Sequence, residues 1–207
     1  MKNSVKWGLY ITIVTIIVNL IMYIAGISMD QSFAWMRWIA AVIGVVILFA
    51  GVEEKMMEDP SSFTFGKGWV TAFMICIVAA VFGAIWVFIY STAIEPEMIE
   101  KTLATSRQQM LASGNMTADQ VQQSMKWVGF FVSPTGFAIT TIFTYGFVGI
   151  IIGLCFGVGA YAQRKGLSFR FYTILSFFTS PLIAGIIAAV VEPPSSKMKI
   201  DDSVATE

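Results

Sequence analysis

The chain has no histidine, only two cysteines and only 13% charged residues. Each scarcity excludes something. Without histidine, the commonest general base and the commonest metal ligand are both missing. Cys76 and Cys155 lie inside apolar runs, where they read as small hydrophobes rather than as a disulfide or metal pair. A soluble domain carries about 25% charged and about 45–50% apolar residues. Here 57% of the 207 residues are hydrophobic and the mean hydropathy is +0.75, so the charge is too sparse to cover a soluble surface of this size. The 13 basic residues cancel the 13 acidic ones, and no net field draws nucleic acid or another polyanion. The P-loop, the Rossmann fingerprint, CxxC and HExxH are absent too. No catalytic, cofactor-binding or metal-ligating residues are expected, and the chain does not read as an enzyme.

What is present is long uncharged sequence. A transmembrane helix needs about 20 apolar residues. Trp7 to Met29 supplies the first such stretch. Lys2 and Lys6 before it mimic a signal peptide, but its apolar core exceeds the usual 7–15 residues, roughly, and no A-x-A site follows, so it reads as an uncleaved anchor. Trp38 to Val52 is short and spans only if Phe33 to Met36 join it, with Arg37 snorkelling to an interface marked by Trp35 and Trp38. Gly68 to Ile94 is long. Trp127 to Gln163 is too long for one span and is broken at Ser133-Pro134-Thr135-Gly136, leaving about 136–162. Phe171 to Val191 is interrupted by Ser180-Pro181 and reads as a kinked span or a re-entrant segment. The expected fold is an all-α polytopic membrane helix bundle of four or five transmembrane helices. Its spans lie at about 7–29, 34–52, 68–94, 136–162 and 171–191, in a single membrane domain 1–191 with a flexible polar tail 192–207.

Alternating these segments puts Lys2, Lys6, Lys55, Lys67, Arg164, Lys165 and Arg170 on the N-terminal side. Arg37, Lys101, Arg107, Lys126, Lys197 and Lys199 fall on the other. The counts nearly tie, but Lys2, Lys6, Arg164, Lys165 and Arg170 press against helix ends, which places the N-terminus in the cytoplasm. The expected location is the bacterial inner membrane.

Two polar connections stand out. Glu53 to Gly66 holds the acidic pairs Glu53-Glu54 and Glu58-Asp59 and reads as a solvated loop, since no EF-hand spacing is present. The segment 95–128 reads as an amphipathic two-helix excursion between spans three and four. Pro96 suits a first helical position, and Glu95, Glu97 and Glu100 complement the positive end of the helix beginning there. Ile99, Leu103 and Met110 line one face of it. Ser113-Gly114-Asn115 is a stop signal. Thr117 and Gln120 then form a capping box opening a second helix, with Val121, Met125 and Val128 along its apolar side. Those stripes either rest on the bilayer and the bundle or dock a partner protein.

Every span lacks intramembrane charge apart from Arg37 at a margin, which argues against a proton relay. One packing motif is specific. Gly149, Gly153 and Gly157 form two overlapping G-x-x-x-G units, and Gly185 and Ala189 offer a small-xxx-small partner on the fifth segment. Such spacing lets backbones approach closely in lipid. The expected use is packing of the fourth span on the fifth, with homodimerisation as the alternative.

Several features together resemble an uncharacterised bacterial membrane family, domain-of-unknown-function family 4199, common in Bacteroidetes. They are the start Met1-Lys2 to Gly8, the run Ser62-Phe63-Thr64-Phe65-Gly66-Lys67-Gly68 leading into the third helix, and the aromatic-to-acidic step from Tyr90 to Glu97. A Met- and Gln-rich helical segment follows. The resemblance covers about residues 1–160 and implies a four-helix membrane protein without an assigned activity. The fifth segment departs from that pattern. The expected role is non-enzymatic: a scaffold or accessory subunit whose partners are the lipid bilayer and another membrane or periplasmic protein, with no nucleic acid and no cofactor. The alternative is a component of a small-solute transporter or channel, with Thr140, Thr141, Thr144 and Tyr145 lining a path, although such threonines often bond to their own helix.

Overall fold

The computed structural model describes residues 2–28, 30–33, 35–114 and 117–191, with the backbone alone at Gln31, Arg37 and Ala118. The snorkelling expected of Arg37 and the tail 192–207 with Lys197 and Lys199 lie outside the described residues. Among the described residues the chain is helical and has no strand. Helix α1 is Lys2–Ile24, and a short 3-10 turn at Gln31–Phe33 leads to α2, Trp35–Glu58. Helix α3, Phe65–Ile89, runs on into a π-helical turn, Tyr90–Ile94. Then follow α4, Glu97–Ala112; α5, Ala118–Val132; α6, Pro134–Arg164; α7, Phe169–Phe178; and α8, Pro181–Val190. Three stretches are long and apolar enough to cross a bilayer: Lys2–Ile24, Phe65–Ile94 and Pro134–Arg164. The protein is an all-α membrane helix bundle.

Local chemistry explains the boundaries. The Thr64 hydroxyl accepts the Lys67 N–H and opens α3. Gly114, at φ +65°, ends α4, since few residues other than glycine adopt that angle. Thr117 and Gln120 form the expected reciprocal capping box. Ser133 ends α5 in extended conformation, its hydroxyl accepts the Gly136 N–H at 3.0 Å, and Pro134 takes the first position of α6, where no N–H is needed.

The structure lengthens some sequence assignments. Helix α1 already begins at Lys2. Helix α2 continues through Glu53, Glu54, Lys55 and Glu58, so the connection read from Glu53 to Gly66 shrinks to residues 59–64. The acidic pair stays helical because its carboxylates find cations, as described below.

The chain divides into two compact units. The first contains residues 1–7, 47–76 and the chain from Phe147 onward. Its centre is a ring cluster: Phe49 meets Phe156 and Phe169 at 5.4 and 5.8 Å, and Phe177 meets Phe156 edge-on at 6.2 Å. Phe156 is fully buried. Each edge-to-face pair adds about 0.5–1.5 kcal/mol beyond area burial. At the rim, Lys6 reaches both oxygens of Glu54 at 2.7 and 2.8 Å, the Trp7 indole N–H donates to the same carboxylate, and Arg170 pairs with Glu53 at 2.5 Å.

The fifth segment is neither a full span nor a simple kink. Helices α7 and α8 have 10 residues each, about 15 Å apiece, half of a hydrocarbon core of about 30 Å. They fold back on each other. Lys165, just before α7, donates from Nζ to the carbonyls of Ala188, Ala189 and Val191 at the end of α8, at 3.0, 2.6 and 3.4 Å. Ala162, Tyr172 and Ala188 share one buried cluster. The lysine thus satisfies carbonyls that the end of a helix leaves without partners, where a cation also complements the helix dipole. The segment is a hairpin that returns to its starting end.

The second unit contains residues 8–46 and 77–146. Within it α4 and α5 pack against one another, and Val121 is buried to 2% exposure. The outward part of α5 carries the exposed aromatics Trp127, Phe130 and Phe131, the residue type that settles at a membrane–water interface.

Candidate functional site

The site is built by the break at the end of α3. From Tyr90 to Ile94 the helix widens, and the Glu95 N–H closes the turn on the Tyr90 carbonyl at 2.8 Å. Pro96 forces the issue, because the residue before a proline is driven out of helical conformation. Glu95 accordingly sits at φ −133°, ψ 66°. Single π turns of this kind recur at functional sites.

The wide turn folds the Glu95 carboxylate back over its own helix. The Tyr90 hydroxyl donates to Glu95 Oε2 at 2.5 Å, and the Ser28 hydroxyl donates to Oε1 at 2.7 Å. Glu95 and Tyr90 are each only 8% exposed. Among the described residues no cation pairs with Glu95. Lys101, one turn and a half along the chain, pairs instead with Glu97 at 2.9 Å on an exposed surface; Lys101 holds the Glu97 pKa down, and Glu97 pushes that of Lys101 up.

Beside Tyr90 and Ser28 lies a cavity of about 490 Å³. Asn19 and Met22 of α1 and Trp86 of α3 contribute to its wall. Helix α4 turns a mostly hydroxyl and amide stripe toward it, Met98, Thr102, Thr105, Ser106 and Gln109, and α6 contributes Phe137. The Trp86 indole N–H is buried without a hydrogen-bond partner, an arrangement that native structures rarely tolerate without a reason. Trp86 and Tyr90 rings lie 5.8 Å apart, and Tyr23 meets Tyr90 edge-on at 6.2 Å.

The sequence-derived candidates fall elsewhere. Ile99, Leu103, Met110 and Met125 are half-buried and Val121 is buried, so the apolar stripes of 95–128 are largely covered. Thr141 donates to the Phe137 carbonyl of its own helix at 2.8 Å, while Thr140 and Thr144 are exposed. None of these threonines, nor Tyr145, lines the cavity.

The glycine stripe packs within the chain, but its partner differs from the one expected. A Cβ on Gly149 would lie 2.8 Å from Cys76 Cβ, one on Gly153 2.7 Å from the Trp69 ring, and one on Gly157 2.7 Å from the Phe65 ring. All three glycines therefore receive α3, whose bulky side chains fill the groove they leave. The helical hairpin meets α6 through other residues: Gly159 faces Phe169 and Thr173, and Gly185 faces Val158 at 3.8 Å. Ala189 contributes its carbonyl to Lys165.

A second polar hollow, of about 700 Å³, is bordered by Lys55, Glu58, Asp59, Ser62 and Lys67. Its charges are satisfied internally. Lys55 pairs with Glu58, Lys67 donates to Ser62 at 2.6 Å, and the Ser62 and Ser61 hydroxyls hold the Asp59 carboxyl below its ordinary pKa. This is a capped turn between helices.

Sequence reasoning missed Glu95, Tyr90, Trp86 and Ser28 as a group. From the sequence, Glu95 reads as a helix-end charge. The available signal was an acid placed immediately before proline, five residues after a tyrosine, at the close of an apolar run.

The family model for Protein of unknown function (DUF4199) matches residues 6–160. The chain belongs to this family. The match contains every lining residue of the Glu95 cavity and stops before the hairpin of α7 and α8. The chain is also similar to a putative phosphate permease of Haemophilus influenzae, with 25% identity over 177 residues. That similarity takes in 83% of this chain but 40% of the permease, so the chain spans less than half the length of this relative. No solved structure matches.

Proposed function

We propose that this protein is a non-enzymatic membrane component that binds and passes a small polar solute. The observation that carries the reading is the cavity beneath α4, where hydroxyl and amide side chains converge and where Tyr90 and Ser28, the donors to the buried Glu95 carboxylate, form part of the wall. Pockets that bind small molecules combine apolar walls with a few convergent polar groups, and this one does so in a bundle with bilayer-spanning helices. The similarity to a putative permease supports a transport role. Phosphate itself suits this cavity poorly, since among the described residues no lysine or arginine lines it.

The scaffold reading has less support. Its docking residues Ile99, Leu103, Met110, Val121 and Met125 present little free surface, and the exposed aromatics of α5 suit the bilayer interface. A homodimer through Gly149, Gly153 and Gly157 is disfavoured because α3 occupies that groove. We place the protein in the bacterial inner membrane with its N-terminus cytoplasmic, on the strength of the cations that crowd the helix ends.

The test is flux. Purified protein in liposomes should admit tetramethylammonium, inorganic phosphate or glycerol faster than protein-free liposomes do. Replacing Thr105 by phenylalanine should fill the cavity and abolish the difference. Equal permeability of loaded and empty liposomes to all of these would refute the reading.

A further inference from the structure

We infer that the solute is a small organic ammonium cation, an inference that rests on the solute-passing reading above and names its substrate class. Three observations converge. The first is a buried carboxylate held by two residues of the cavity wall, Tyr90 and Ser28. Glu95 is buried, receives only the neutral hydroxyls of Tyr90 and Ser28, and has no ion pair among the described residues. A buried carboxylate left with neutral partners alone is costly, and a cation in the adjoining space relieves that cost. The second is aromatic surface. Trp86, Tyr90 and Phe137 all border the cavity, and a ring face attracts an ammonium group within about 6 Å of its centroid. Quaternary ammonium recognition commonly takes this form, rings around the charge. The third is the sign of the wall: among the described residues no lysine or arginine lines it, and Lys101 of α4 is engaged by Glu97.

The remaining lining fits the same class. Thr102, Thr105, Ser106 and Gln109 offer oxygen acceptors to an N–H or hydroxyl on the solute. Met22 and Met98 present soft, adaptable surface to its carbon atoms. An inorganic cation would want several oxygens in a compact shell, whereas aromatic and thioether walls reward a larger, weakly hydrated ion.

Calorimetric titration of the full chain in mild detergent tests this, with tetramethylammonium chloride as the probe. The neutral alcohol tert-butanol, of the same tetrahedral five-heavy-atom shape, and inorganic phosphate serve as comparisons. The wild type should bind tetramethylammonium at least tenfold more tightly than the alcohol, and Glu95→Gln should remove that preference while leaving the melting temperature near that of the wild type. Should Glu95→Gln fail to fold, Trp86→Leu keeps the carboxylate and should still weaken the ammonium at least fivefold. Equal binding of ammonium and alcohol, or an unchanged preference in a folded Glu95→Gln, would overturn the cation assignment while leaving a solute cavity. Binding of phosphate without tetramethylammonium would overturn it in the same way. If no probe binds and the loaded liposomes are no leakier than empty ones, the solute-passing reading falls as well.

Discussion

At the scale of single residues, the glycines of α6 show how much and how little a pattern reveals. The spacing of Gly149, Gly153 and Gly157 announces that another backbone or side chain approaches closely. It does not say which, because any helix with a bulky ridge fits the groove, and the ridge of α3 fills it. Gly159 has no place in that spacing, yet it is the tightest contact with the hairpin. A Cβ there would lie 3.0 Å from the Phe169 carbonyl oxygen and closer still to Thr173 Oγ1. Gly159→Ala should therefore destabilise the protein by about 1–3 kcal/mol, as overpacking does. Gly146, by contrast, has nothing within 4 Å of an added Cβ, and Gly146→Ala should be neutral or stabilising by up to about 1 kcal/mol through the lower chain entropy of alanine. Thermal melts of the two variants in one detergent check the contrast. Titration acts at this scale too. Lys6 first, then Trp7, hold the Glu54 carboxyl below its ordinary pKa. A depressed carboxyl stabilises the folded state at pH values above its ordinary range and loses that contribution as the pH falls through its folded value. The melting temperature of the wild type should fall on acidification below about pH 4.5, near the unperturbed value of a glutamate. Glu54→Gln should show a shallower fall, modest in size because the pair is open to solvent.

At the scale of elements, most helices were legible from charge-free length, capping residues and proline positions. Thr117, Ser133 and Gly114 sit where local hydrogen bonding requires them. The π turn escaped, and the choice between a kinked span and a re-entrant segment stayed open; both are tertiary matters. Nothing in Tyr90-Ser91-Thr92-Ala93-Ile94 announces a π turn, since its cost is met by the hydrogen bonds that Tyr90 and Ser28 give to Glu95. Ser180-Pro181 signals a break, but direction after the break is set 15 residues earlier by Lys165, which holds the end of α8 through its carbonyls. This hairpin makes a topological prediction. Cysteines placed at Gly166 and at Val191 should react with an impermeant thiol reagent from the same side of the membrane. Labelling from opposite sides would mean that the segment crosses. Lys165→Ala should loosen the return arm and increase labelling at Val191 without changing its side.

At the scale of the whole molecule, the cations assigned by alternation to the N-terminal side, Lys2, Lys6, Lys55, Lys67, Arg164, Lys165 and Arg170, all belong to one compact unit. Arg37, Lys101, Arg107 and Lys126 belong to the other. The membrane class and the segregation of charge could be read from composition and spacing, because both follow from the solvent that the chain must face. The candidate site could not, because it depends on α1, α3, α4 and α6 meeting around one cavity whose wall includes the two donors to Glu95. We propose that the solute passes through this cavity, in the second unit. The most direct test is flux through liposomes carrying Ser106→Cys, before and after modification with a small methanethiosulfonate reagent. Ser106 lines the cavity, and the native Cys76 and Cys155 are buried and leave the wild type as an unreactive control. The expected result is that modification stops the uptake of tetramethylammonium and that a reducing agent restores it. Uptake unchanged after complete modification would contradict the claim.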